Sequence, residues 1–299
     1  MVSTHLTEIG CTVVQASDDA DLLVAKEAIK YGAFIDTVVI AEDTDILILL
    51  LHHSLNNERI TFKSDKVNCN RVFDIAECCR SLGEEVCKSL PFLHAITGCD
   101  TTSSLFSIGK LTAFKKVVES KYLRDIAYSF SLHGQSHADI EQLGENAVKL
   151  LYGCNNLEKP LNNLRHEKLY SKVLKAKSYV KPELLPPTSS SVKFHSYRTY
   201  LQVQDWIFVS NDMNPEKWGW TMKEGEFFPI TNNQDAAPES LLKVIRCDCQ
   251  TECLHMRCSC RKNGLTCTYA CGVCQTTNCF NQETSITNEE LEEEFSDIL

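Results

Sequence analysis

An α/β fold is predicted for this chain: an incomplete parallel sheet with helices, a helical extension, then a small cysteine-rich, zinc-stabilised module. Three observations predict it. The stretch Thr37–Leu50, TVVIAEDTDILILL, places an apolar strand (Thr37, Val38, Val39, Ile40) directly before an acidic turn, Glu42-Asp43-Thr44-Asp45, with a second apolar run at Ile46–Leu51. A continuous apolar strand suggests a parallel sheet covered on both faces. Around it, segments of helical character alternate with short strand candidates, as in a β-α-β unit with its right-handed crossover. Finally, nine of the sixteen cysteines crowd between Cys247 and Cys279.

Taken in order, Cys11–Ala16 (CTVVQA) reads as a short strand, Ser17-Asp18-Asp19 as an N-cap, and Ala20–Tyr31 as a helix closed by Gly32. The strand at Thr37 completes the β-α-β unit. Arg59–Lys63 reads as an edge strand. Two helices follow at Phe73–Leu82 and Glu84–Thr97, separated at Gly83, the second interrupted by Pro91. Ile96–Lys116 combines a polar turn, a pivot at Gly109 and an amphipathic helix. Further helices are expected at Leu123–Leu132, His137–Tyr152 and Leu161–Lys177. The proline- and serine-rich stretch Lys181–Ser191 reads as a boundary. The resulting division is 1–120 for the α/β domain, 121–180 for the helical extension and 181–193 for a linker. A small aromatic module at 194–245, the cysteine module at 246–281 and an acidic tail at 282–299 complete it.

Composition narrows the function classes. With 43% hydrophobic and 23% charged residues in 299, most of the chain is expected to fold. A net charge of −10 and a pI of about 5.4 argue against a globally basic nucleic-acid coat, so any such contact is local or bridged by metal. The first ten residues are polar and mixed, unlike a secretory signal, and the apolar runs are too short to span a bilayer. A membrane partner is therefore not expected. Without an export signal, crowded cysteines point to metal thiolates rather than disulfides.

Acidic groups recur after apolar segments: Asp18, Asp19 and Asp21; Asp43 and Asp45; Asp100. Carboxylates so close repel one another unless a cation or hydrogen-bond donors hold them. A two-metal phosphodiester-cleaving site uses such a set, and hard Mg²⁺ or Mn²⁺ prefers these oxygen ligands. Taken singly, each aspartate has a plainer role as a helix cap or in a solvated turn; the ordered set carries the reading.

The order Asp19-Ala20-Asp21, Glu42-Asp43-Thr44-Asp45 and Gly98-Cys99-Asp100, followed by Ile108-Gly109-Lys110, resembles the flap endonuclease and XPG-type nucleases of the PIN-like superfamily. The resemblance spans about Cys11–Val118. It implies Asp19, Asp21, Asp43, Asp45 and Asp100 as catalytic metal ligands. It also implies Ile108, Gly109 and Lys110 as a turn that meets nucleic-acid phosphate through backbone N–H groups at a helix start. Three departures accompany it. The family's opening strand, with its own aspartate, belongs ahead of Cys11, where this sequence has ten residues; a truncated sheet, a missing ligand and impaired catalysis are expected. Ser107-Ile108-Gly109 stands where the family has Gly-Ile-Gly, and Asp19 and Asp21 stand where it has glutamates.

The cysteine segment reads RCDCQTECLHMRCSCRKNGLTCTYACGVCQTTNCFN from Arg246 to Asn281. Its short spacings suit tetrahedral zinc bound by Cys247, Cys249, Cys253, Cys258, Cys260, Cys267, Cys271, Cys274 and Cys279. Nine thiolates complete about three such sites if about three sulfurs are shared. The opening resembles the CXC domain of tesmin-type DNA-binding proteins, and more loosely the pre-SET zinc clusters. That resemblance implies DNA contacts from Arg257, Arg261 and Lys262, with Tyr269 as a groove or stacking contact. The closing spacing departs from the family's tighter end. The plainer alternative is a structural zinc knot that touches no nucleic acid.

The whole layout resembles mobile-element-like animal proteins that join a PIN-like nuclease domain to a terminal cysteine cluster. Two functions follow as expectations: a truncated divalent-metal nuclease tethered to a zinc-binding, DNA-contacting module, or a non-catalytic DNA- or protein-interaction protein on a relic nuclease scaffold. The partner expected is nucleic acid, DNA foremost, and the location the nucleus. Oligomeric state is not legible in the sequence.

Overall fold

The computed structural model describes residues 2–16, 19–54, 59–64, 71–175, 184–207, 213–233, 247–250, 252–262, 264–268, 271–277 and 279–282. The chain divides into two units, Met1–Asn233 and Gln234–Leu299.

The first unit is mixed α/β. Helix α1 (Val2–Glu8) is exposed along its length. Helix α2 (Asp21–Gly32) leads into strand β1 (Thr37–Ala41), and α3 (Thr44–His53) then crosses to β2 (Ile60–Ser64). β1 and β2 run parallel, with Thr37 opposite Ile60 and Ala41 opposite Ser64. β3 (Val72–Asp74) returns antiparallel on the other side of β2, so the sheet order is β1-β2-β3. The second apolar run of the acidic stretch is thus the crossover helix. Asp43 caps it, accepting the Asp45 N–H at 2.9 Å, and Ile46, Leu49 and Leu50 recur at i, i+3 and i+4 on its buried face.

Three expectations about the sheet are corrected. Cys11–Ala16 is not a strand; its residues are largely exposed, β1 takes β2 as its partner, and none of the described strands lies on its other side. Arg59–Lys63 is not an edge: β2 is the central strand. β1 is the edge instead, and it is not covered on both faces, since Val38 is 59% and Ile40 62% exposed. The sheet is mixed rather than purely parallel.

The helical layer follows the sequence closely. α4 (Ile75–Leu82) and α5 (Glu84–Thr97) are set off by Gly83. α5 runs straight through Pro91 rather than breaking there. Proline removes the donor that would serve the Cys87 carbonyl, yet the helix continues beyond it to Thr97. α6 (Lys110–Glu119), α7 (Lys121–Ser131), α8 (His137–Leu151) and α9 (Leu161–Lys175) follow. α10 (Ser189–Ile207) then packs on α5, α7 and α8. Its Val192, Tyr200, Val203 and Trp206 belong to the same core as Leu49, Ile96 and Phe130. Tyr200 donates to the Leu132 carbonyl at 2.8 Å and Gln204 to that of Phe130 at 2.8 Å. The aromatic segment read as a module of its own is therefore part of the first unit's core as far as Asn233. A hairpin, β4 (Trp220–Lys223) and β5 (Glu226–Pro229), completes this unit. The remainder of that segment, 234–245, lies outside the described residues, as does 283–299 of the acidic tail. No described helix is long and apolar enough to cross a membrane.

In the second unit the described helix is a single turn, α11 (Ser259–Lys262), and the buried cluster consists of cysteines with Leu265 against them.

Candidate metal centres

The strand-to-helix turn after β1 and the first turn of α2 bring three carboxylates together. Asp21 opens α2, Asp43 caps α3 and Asp45 lies in the first turn of α3. One oxygen from each falls within 4.8 Å of the others. Asp19 stands beside them, accepting the Asp21 N–H at 3.2 Å. Asp100, on the turn after α5, is close enough for its charge to act on Asp21. Burial first, and then the charges of Asp19, Asp43, Asp45 and Asp100, push the Asp21 carboxyl up to about 6. The structure thus brings Asp21, Asp43 and Asp45 into contact range, with Asp19 and Asp100 near enough for their charge to reach Asp21. The donor set is all oxygen, which fits a hard divalent cation.

A second group in the crevice is absent from the sequence reading. His94 Nε2 lies 2.6 Å from Asp45 Oδ1, with the imidazole 5% and the carboxylate 15% exposed. The Lys110 ammonium lies 3.4 Å from the same nitrogen and donates to the Gly98 carbonyl at 2.6 Å. Burial would raise the Asp45 carboxyl, but the hydrogen bond and charge of His94, with Lys110, hold it below its ordinary value. His94 escaped notice because a lone histidine in an apolar helix reads as core. Its signal is its place four residues before Gly98, which puts it one helical turn behind the acidic turn.

The Ile108-Gly109-Lys110 turn departs from its expected role. Ile108 is buried and its N–H is already committed to the Leu105 carbonyl at 3.1 Å. Lys110 turns its head into the acidic crevice rather than outward. Gly109 does cap α6, with no side chain on the helix's first N–H groups. Ser107 sits at φ +53, the left-handed region where glycine is unstrained.

In the second unit the thiols form overlapping four-sulfur groups. Cys247, Cys258, Cys260 and Cys267 form one; Cys247, Cys253, Cys267 and Cys274 another; Cys247, Cys249, Cys253 and Cys258 a third. Each can hold a zinc ion. Cys260 and Cys271 lie 3.6 Å apart, Cys247 and Cys267 3.7 Å, and Cys247 and Cys253 3.8 Å. Disulfide sulfurs would be about 2.05 Å apart, whereas two thiolates on one tetrahedral zinc, each about 2.3 Å from it, stand about 3.8 Å apart. Cys279 is buried in the same cluster. Burial pushes the Cys247, Cys253 and Cys267 thiols up. Cys258 and Cys271 fall to about 7 despite their burial, because backbone N–H groups and neighbouring thiols donate to them.

Among the described residues, backbone bonds between distant parts of this segment join Gly272 N–H to the Cys247 carbonyl, Cys267 N–H to Asn281, and Phe280 N–H to Glu252. Arg261 belongs to that scaffold, its Nη2 donating to the Phe280 carbonyl at 3.2 Å. Arg257 and Lys262 are exposed. Tyr269 lies outside the described residues. No family model, curated protein or solved structure matches this chain.

Proposed function

We propose that the chain is a nuclease-like protein: a divalent-metal phosphodiester-hydrolysing site in the first unit, tethered to a zinc module that contacts nucleic acid, DNA foremost, in the nucleus. The observation that carries this reading is the convergence of Asp21, Asp43 and Asp45 to within 4.8 Å from two helix starts. Mg²⁺ or Mn²⁺ bound there would activate a water and neutralise charge on the leaving oxygen. The chain's own residues prepare the place. Asp43 keeps one oxygen on the Asp45 N–H. His94 fixes Asp45 Oδ1, and Lys110 ties down the Gly98 turn that carries Asp100. In the second unit, nine thiolates with about three shared sulfurs take up about three zinc ions, leaving Arg257 and Lys262 free for phosphate.

A second reading has its own observation. His94 and Lys110 already supply positive charge to Asp45, which suits a scaffold that binds rather than cleaves. One assay separates the two. Cleavage of branched and single-stranded DNA is measured with Mg²⁺ or Mn²⁺, comparing the chain with Asp43→Asn/Asp45→Asn. The nuclease reading expects a loss of about a hundredfold or more, since even supporting residues of metal sites cost about 10–100-fold. Equal rates would leave the non-catalytic reading.

A further inference from the structure

The open side of β1 combines unpaired backbone with exposed apolar side chains. The Thr37 N–H donates to the Arg59 carbonyl at 2.8 Å, which turns the peptide groups of Thr37, Val39 and Ala41 toward β2. In a ladder alternate residues bond to the same neighbour, so the N–H and C=O groups of Val38 and Ile40 point away from the sheet. Among the described residues, none pairs with them. The side chains follow the same alternation: Val39 is buried, whereas Val38 and Ile40 are exposed. Phe34 and Ile35, just ahead of the strand, are exposed as well, Phe34 to 78%. Single exposed apolar residues are ordinary on a surface. A run of them along an unpaired edge marks a place where another chain adds.

A groove of about 660 Å³ is lined by Val38, Val39 and Ile40, and by Val24 and Tyr31 of α2. The Cys11–Ala16 stretch contributes Thr12, Val14 and Ala16, every second residue. The charged side chains among the described residues of its lining are Glu27 and Asp36, both acidic. Each has one cation beside it, Lys30 at 3.0 Å from Glu27 and Arg59 at 3.4 Å from Asp36. The Asp36 carboxylate is 85% exposed, so its pair with Arg59 is a weak one and leaves it open to a second cation. Glu42 and Asp43 follow the strand at its other end, exposed in the acidic turn. The edge therefore presents an apolar centre between two acidic ends.

We propose that β1 is a docking site for a β-strand of a protein partner, an extended segment of about five residues with an apolar centre and with lysine or arginine at both ends. Its length matches β1, Thr37–Ala41. Its backbone takes up the free groups of Val38 and Ile40, its apolar side chains cover those two residues, and its basic ends meet Asp36 and Glu42. Main-chain bonds supply affinity in such strand addition, and the side chains supply the choice of partner. The charges select this occupant over a second copy of the chain. An antiparallel β1 from another copy, with Val38 opposite Ile40, would set Asp36 against Glu42 at each end, and like charges directly opposite one another destabilise a strand pair. This surface does not depend on whether the acidic crevice binds metal or cleaves anything.

The test uses the full chain in metal-free buffer at low, constant ionic strength. Binding of fluorescein-labelled synthetic peptides is followed by anisotropy: a Val/Thr/Ile core with two lysines at each end, the same core with two glutamates at each end, and the lysine peptide with proline at its centre. Saturable binding of the lysine peptide is expected, with the glutamate peptide at least about tenfold weaker. The proline peptide, which cannot complete the ladder, should not bind. Val38→Thr/Ile40→Thr changes only exposed side chains and keeps residues that favour a strand; it should weaken the lysine peptide about tenfold. Asp36→Asn/Glu42→Gln should bring the lysine and glutamate peptides to within about threefold of each other. Absence of saturable binding, equal binding of the proline or glutamate peptide to the wild-type chain, or unchanged affinity in the threonine variant would each overturn the proposal. So would self-association of the chain in sedimentation that the threonine variant abolishes, which would assign the edge to a second copy.

Discussion

The two candidate metal centres of this chain are built in opposite ways. The thiolates lie close along the sequence, and among the described residues of their unit the core is sulfur with Leu265 against it. The carboxylates come from α2, from α3 and from the turn after α5. They meet only because an apolar core of Leu49, Leu50, Ile96 and Trp206 holds those elements together. A metal bound in the first case would be part of the fold; in the second it would be a guest in a fold that already has its own core. Short-range spacing therefore reports the first centre directly, whereas the second is an arrangement that tertiary packing creates.

The sharpest way to break this contrast is to remove metal from the whole chain. Structural zinc supplies about 10 kcal/mol or more to small cysteine modules, so chelation should open residues 247–282 to protease while 1–233 keeps its thermal midpoint. Simultaneous collapse of both units would refute the distinction. Within the cluster, Cys247→Ser should lose more zinc by metal analysis than Cys279→Ser, since Cys247 alone belongs to all three four-sulfur groups among the described residues.

The next effect tests how far the acidic crevice belongs to its scaffold. His94→Ala leaves Asp45 without its buried partner and should cost about 3 kcal/mol in denaturant unfolding. A loss under about 1 kcal/mol would rank the pair with exposed ion pairs.

A smaller effect comes from Asp21. Its folded value of about 6 lies above the ordinary 3.8, so the folded chain holds this proton more tightly than the unfolded chain does. The stability it contributes is full below 3.8 and is lost as pH rises through about 6. Asp45, held low, runs the other way and loses its contribution as pH falls. Asp21→Asn should remove the first trend only, so the variant gains on wild type as pH rises through that window in metal-free buffer. A pH-independent difference in unfolding midpoint would show that the carboxylates do not feel one another. The smallest change is Ser107→Gly. The left-handed backbone costs a side-chain-bearing residue about 1–2 kcal/mol, and glycine's flexibility returns about 0.5–1. A net gain of about 0.5 kcal/mol, read as a slightly higher melting temperature, is expected.

How much of this was legible before the structure depends on the range of the forces involved. α5 spans Glu84–Thr97 as the sequence marks it, because Gly83 and Gly98 punctuate both ends and glutamates open the first turn. The clustering of cysteines that can hold zinc was legible for the same local reason. The strands were less so. Cys11–Ala16 has strand composition but no partner, and pairing is a property of two segments. Pro91 reads locally as a break, yet α5 continues through it with Leu90–Thr97 buried in the core. His94 was missed because it carries no motif; it gains meaning from Asp45, which faces it across the packed core.

Gly98 ties these observations together. At φ +110, any Cβ there would press to 2.8 Å from the Ser104 Cα, and its own carbonyl takes the Lys110 ammonium. Drift at neighbouring positions can be absorbed by rotating a side chain, but here backbone meets backbone and nothing can rotate aside. Even the smallest substitution would displace Asp100 on one flank and Ser104 on the other in a single movement. The position therefore admits one amino acid, and sequences descending from this chain keep both flanks or surrender both.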